Sequence, residues 1–205
     1  QQINLYNASN SPILMLNRSI PPNTYNNVSV NLIEPLKHTL SNGCKIVQFP
    51  YKEQKILQLS IYFPSGKWFQ NKPAISQLTA QMLLEGTKSL NNKQLIDAFE
   101  SYGAYIFTNS EFYNAKITVF CLQKHLTNIV ALLNEIIAFS NFPQKQLDII
   151  LHNKKQHLAV NLERVDFIAQ REFFKSIFPK NYPYSLIEEK EDYDNINRQM
   201  LQSFY

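Results

Sequence analysis

The chain has 205 residues, 44% of them apolar and 13% aromatic, with a formal net charge of +4. Such a chain is globular and long enough for a true hydrophobic core, as one large domain or two small ones. The charge is mild and dispersed, with no basic stripe, which argues against nucleic-acid binding, and no apolar run is long enough to span a membrane. The nearest thing to a basic patch, Lys154-Lys155, reads as a solvated helix face.

Residues 1–15 lack the basic start and apolar core of a signal peptide, so the expected compartment is the cytoplasm rather than the periplasm. The chain opens on Gln1 and Met15 is a candidate natural start, so upstream residues are expected to have been removed. Residues 1–33 are rich in Asn, Ser and Pro and hold no sustained periodicity; they are expected to form an extended arm. The domain proper is expected over 34–205.

Leu36–Leu40 and Cys44–Phe49 predict two strands around Ser41-Asn42-Gly43, where Asn-Gly calls for a tight hairpin turn with positive φ at both central positions. Cys44 and Cys121 both fall in predicted strands and are expected to be small core residues, not ligands or disulfide partners. Leu57, Leu59 and Ile61 alternate with polar neighbours, giving a third strand that Pro64-Ser65-Gly66 ends. Pro73 is expected in the first turn of a helix that carries Ile75, Leu78 and Met82 inward and stops at Gly86. A second helix should run from the N-cap Asn91 to Tyr102, with Gly103 as its stop.

Strands are expected at Ala104–Thr108 and Tyr113–Leu122, as antiparallel neighbours. An amphipathic helix over about 124–139 follows, with Leu126, Ile129, Leu133 and Ile136 inward. Phe142-Pro143 breaks it. One long helix should then run from Gln144 past Arg171, with an apolar end at Phe173, Phe174, Ile177 and Phe178. A turn at Asn181–Tyr184 and a last helix over about 192–204 complete the chain. The order argues an α+β fold, an antiparallel sheet with helices packed on one face.

From Leu40 to Tyr205, about four-fifths of the chain, the segments LSNGCKIV, LSIYFPSGKWFQ, QLTAQMLLEGT, YGAYIFTN, ITVFCLQKHL, NFPQKQL and NYPY follow in an order that resembles the insulinase or pitrilysin-type zinc peptidases. The resemblance is to the branch of the mitochondrial processing peptidase and its bacterial relatives. It implies the first half of a two-domain subunit, truncated at its C-terminal end. In active members the helix ending in Gly-Thr carries H-x-x-E-H, two zinc-binding His and a Glu base, and a later helix adds a third ligand. Here the motif positions are Gln77, Ala80 and Gln81, and the third ligand should fall near Gln156 or His157. Gln is a weak zinc ligand beside imidazole, and Ala cannot take a proton. The resemblance therefore implies no metal, no cofactor and no catalytic residue. His38, His125, His152 and His157 are expected as surface or cap residues, and Glu163 and Asp166 as solvated charges. Gln77 and Gln81 are expected as polar residues of a cleft wall.

The resemblance further implies a non-catalytic subunit. Its partner would be an active zinc-peptidase subunit, or another copy of itself as a homo-oligomer, and together they would enclose an unfolded peptide. An Arg-Tyr pair that grips substrate in such subunits would lie in a second domain. Two alternatives stay open: a stand-alone peptide-binding or structural protein on the same fold, and a zinc endopeptidase with a rebuilt site.

Overall fold

The computed structural model describes residues 32–51, 54–180 and 182–205. The expected N-terminal arm lies almost wholly outside them. The chain divides after Tyr51 into two compact units.

The first unit contains a hairpin of β1 (Leu36–Thr39) and β2 (Lys45–Gln48), antiparallel with Leu36 opposite Gln48 and Thr39 opposite Lys45. Its turn corrects the expectation of positive φ at both Asn42 and Gly43. Only Gly43 takes positive φ, at 84°. Gly43 N–H donates to Leu40 O and Leu40 N–H donates to Cys44 O, both at 2.9 Å. That pattern is a longer loop closed by a left-handed glycine, which spares Asn42 the strained conformation. Cys44 N–H donates to Asn42 Oδ1, leaving Cys44 exposed and just outside β2 rather than in a core.

In the second unit β3 (Ile56–Phe63), β4 (Tyr105–Ser110) and β5 (Ala115–Leu122) form an antiparallel sheet in the order β3-β5-β4. The described strands thus fall in two antiparallel sheets. Leu57, Leu59 and Ile61 stand opposite Cys121, Val119 and Ile117, so the period-2 apolar sets meet on one face. Cys121 is buried there as expected, and burial pushes its thiol pKa up.

Three helices cover that face: α1 (Ile75–Met82), α2 (Asn92–Ser101) and α3 (Leu126–Phe139). Ile75, Leu78 and Met82, Leu95 and Phe99, and Ile129, Leu133 and Ile136 join Ile117 and Val119 in one core. The remaining helices are α4 (Gln144–Asn161), α5 (Val165–Ile177), α6 (Lys190–Asp194) and α7 (Arg198–Phe204). They extend the core through Leu147, Leu158, Tyr193 and Leu201. Burial of each such side chain is worth roughly 1.5–3 kcal/mol. None of the described helices is long and apolar enough to cross a membrane.

Helix boundaries follow local chemistry. Asn91 caps α2 in a reciprocal box with Gln94, and Gly103 takes φ 62° at its end. Pro73 lies in a turn before α1 rather than in its first turn. Ala74 intervenes with φ 67°, and its carbonyl starts the helix by accepting from Leu78 N–H at 2.9 Å. The predicted long helix is two helices. Glu163 N–H and Arg164 N–H turn back to Val160 and Asn161, and Arg164 is extended. Its guanidinium then reaches Asp166 in the first turn of α5, 2.6 Å away, so Asp166 is paired while Glu163 sits in the break. An acid at that position also suits the helix dipole. The predicted last helix is likewise two, because Asn197 Oδ1 accepts from Met200 N–H at 3.0 Å and caps α7.

A stack of rings ties the end of α5 to the sheet. Phe178 and Phe112 lie 4.8 and 3.8 Å from Tyr184, and Trp68 lies 5.7 Å from Tyr182. Trp68 is placed by a 3-10 turn, Lys67–Phe69, whose backbone docks on the β4–β5 turn. Lys67 N–H donates to Glu111 O at 3.0 Å and Trp68 N–H to Phe112 O at 2.8 Å. Gly66 makes this approach possible. A Cβ there would stand 2.5 Å from backbone atoms of Phe112, Tyr113 and Asn114. Gly66→Ala is therefore expected to destabilise the protein by roughly 1–3 kcal/mol through overpacking. Gly43→Ala, which meets open space, should cost only about 1 kcal/mol of backbone strain. Urea titrations of the two variants check the ranking, and equal losses would contradict it.

Candidate functional site

The second unit places the expected motif positions on α1. Gln77 and Gln81 stand one turn apart, both half-buried, and Ala80 is buried at 4% exposure. Gln81 lines a cavity of about 300 Å³ together with Ile150, Asn153, Lys154 and His157 of α4. Those four α4 residues follow the spacing of one helix face. The structure thus brings Gln81 and His157 together at the cavity, and His157 is exposed, as expected of a surface residue. Gln156 lies elsewhere on α4, exposed and 2.9 Å from His152. His125 packs on the ring of Tyr102 at 5.3 Å, and His38 is exposed in β1.

Ile150, Asn153 and Lys154 were not expected at the site. Their signal was legible, since they lead to His157 at three- and four-residue steps. Lys154 is half-buried and lines the cavity, which corrects its reading as part of a solvated face.

These residues do not fit a catalytic zinc. Such a site takes three protein ligands drawn from imidazole, thiolate and carboxylate. The motif positions supply two amides and a methyl group, with one imidazole across the cavity. Among the described residues no three of His, Cys, Asp and Glu gather closely enough to hold a metal ion.

The frame around these positions is nonetheless tightly built. Ser76 Oγ donates to Ser65 O at 2.8 Å and meets Ser110 Oγ, and Ser76 N–H donates to Gln70 Oε1 at 3.2 Å. At the other end α1 stops at Met82, four residues before Gly86. Leu84 and Glu85 continue as a tight turn, donating to Gln81 and Met82 carbonyls. Gly86 is therefore not the helix stop. With φ 152° it pairs with Asn91, and a Cβ there would meet Pro143 Cγ at 3.2 Å. Thr87 Oγ1 accepts from Leu90 N–H at 3.0 Å, and Lys88 N–H donates to Phe139 O at 2.9 Å. Gly-Thr clamps the exit of α1 to the α3–α4 connection.

A second cavity, about 440 Å³, lies beside this clamp and is lined by Glu85, Lys88, Asn92, Asn141 and Lys145 among others. Burial pushes the Glu85 carboxyl above the ordinary carboxylate range.

Residues 49–181 match the insulinase family, peptidase family M16. The chain belongs to that family. Among solved structures, an M16 protein of Pseudomonas fluorescens, described as a peptidase M16 inactive domain, superposes with a TM-score of 0.78 at 19% identity, covering 83% of this chain and 42% of that one. A protease from Helicobacter pylori gives 0.63 at 15% identity, over 85% and 43% of the two chains. A mutant of the ferredoxin protease FusC, solved with Arabidopsis ferredoxin, gives 0.69 at 16% identity, over 84% and 19%. These likenesses show a shared M16 fold, and this chain spans less than half of each of those proteins. No curated protein matches the chain.

If α1 and α4 still hold the M16 ligand frame, Gln77→His with Gln81→His should create a zinc site completed by His157, since three ligands suffice. The double variant is expected to bind zinc stoichiometrically, and adding His157→Ala should abolish it, as measured by metal analysis after desalting. A folded double variant without zinc would show that the motif positions are misassigned.

Proposed function

We propose that the chain is part of a non-catalytic M16 subunit of the processing-peptidase-like branch. Residues 34–205 form the first half of a two-domain subunit in this reading. The subunit pairs with an active zinc peptidase and supplies one wall of a chamber that encloses an unfolded peptide. The observation that carries this is the contrast at α1. Gln77, Ala80 and Gln81 stand where the resemblance puts the two zinc ligands and the base, while both ends of the helix are firmly clamped. A chain that had lost all use for the site would be free to lose the frame as well.

Two further observations support the reading. The Pseudomonas fluorescens relative is described as an inactive domain, so the fold is kept elsewhere in an inactive form. The chain covers 42% and 43% of two of its structural relatives, as half of a two-domain subunit would.

The test is co-expression of the full-length protein with an active M16 peptidase from the same genome. A stable complex is expected, with peptide hydrolysis several-fold faster than by the active partner alone. If no complex forms and hydrolysis is unchanged, the subunit reading fails. Peptide captured without any peptidase would favour a stand-alone peptide-binding protein.

A further inference from the structure

The cavity between α1 and α4 has a lining that selects one class of ligand. Ile150, buried at 7% exposure, supplies the apolar contact. Around it stand the Gln81 and Asn153 amides, the His157 imidazole and the Lys154 ammonium, and no carboxylate. Some other polar side chains of α4 find partners within the chain, whereas Lys145, Gln146 and Asn161 have none among the described residues. Lys155 Nζ pairs with both oxygens of Asp194 at 2.5 and 2.7 Å, Gln144 with Asp148 at 2.7 Å, and His152 with Gln156 at 2.9 Å. Among the described residues the four at the cavity have no such partner either. Among the described residues Lys154 has no acidic group within salt-bridge distance.

We propose that this cavity binds a carboxylate. The ammonium supplies charge, the two amides supply N–H donors, and a charge-assisted hydrogen bond is roughly twice as strong as a neutral one. A neutral peptide carbonyl would leave the Lys154 charge unmatched in a half-enclosed space. The volume, about 300 Å³, lies at the low end for ligand pockets and suits one residue rather than a folded segment. The carboxylate can come from the C-terminus of a peptide or from an Asp or Glu side chain within one. In zinc-bearing relatives a metal cation would stand at this helix; here Lys154 keeps a positive charge there while removing the means of hydrolysis. The inference rests on the reading that the cavity faces peptide.

Fluorescence anisotropy on the full-length protein tests it with three labelled peptides of one apolar sequence: free C-terminus, amidated C-terminus, and amidated with an internal Glu. The first is expected to bind at least about tenfold tighter than the second, which is the scale of one charge-assisted hydrogen bond. The third identifies a side-chain source if it binds as tightly as the first. Lys154→Gln should abolish the difference, whereas Lys155→Gln, whose native side chain pairs with Asp194, should keep it. Equal affinity for all three peptides would overturn the carboxylate proposal while leaving peptide binding intact. No binding of any peptide would also overturn it, and complex formation with an active peptidase would then judge the subunit reading separately. An unchanged acid preference in Lys154→Gln would remove Lys154 from the site.

Discussion

The second unit depends on the seating of α1 against the sheet. Ile75, Leu78 and Met82 are wholly buried on one side, at 1%, 0% and 0% exposure. The other side carries the half-buried Gln77 and Gln81, of which Gln81 lines the cavity. An eight-residue helix is too short to be stable by itself, so its position comes from packing and from its ends. Ser76 ties the start to Ser65 and Ser110, and the Gly86–Thr87 clamp ties the exit to Phe139 and Asn141. Changing the outward residues therefore changes chemistry without disturbing the fold.

Backbone strain points to the same region. Among the described non-glycine residues, only Ala74 and Phe142 have positive φ, at 67° and 48°. Ala74 precedes α1 and Phe142 precedes α4 by one further residue. Both are buried, at 3% and 1% exposure, so packing holds them in conformations that each cost of order 1–3 kcal/mol. The two helices that face each other across the cavity are thus both led in through strained residues.

Much of this was legible in the residues. The alternation at Leu57, Leu59 and Ile61, the Asn91 cap and the glycine at 103 each carry a local signal that tertiary contacts only reinforce. The resemblance pointed to the segment that forms α1. Other features depended on contacts that local patterns do not encode. The apolar spacing runs on through Leu162, but the break there needs Arg164 to turn out toward Asp166. Gly86 reads as a helix stop, yet its conformation is set by Asn91 and by Pro143, distant in sequence. Cys44 reads as core, but its strand begins one residue later. His157 was a candidate ligand position, and the three- and four-residue steps that place Asn153 and Lys154 on its face were legible; that this face meets Gln81 of α1 was not.

In the proposed reading this chain has the M16 fold without hydrolytic chemistry. The most direct measurement is the zinc content and peptide hydrolysis of the purified full-length protein, alone, beside its Gln77→Ala and Gln81→Ala variants. Zinc far below one equivalent and no hydrolysis in all three preparations is the predicted result. Stoichiometric zinc in the native protein that is lost on replacing Gln77 and Gln81, together with hydrolysis, would contradict the account.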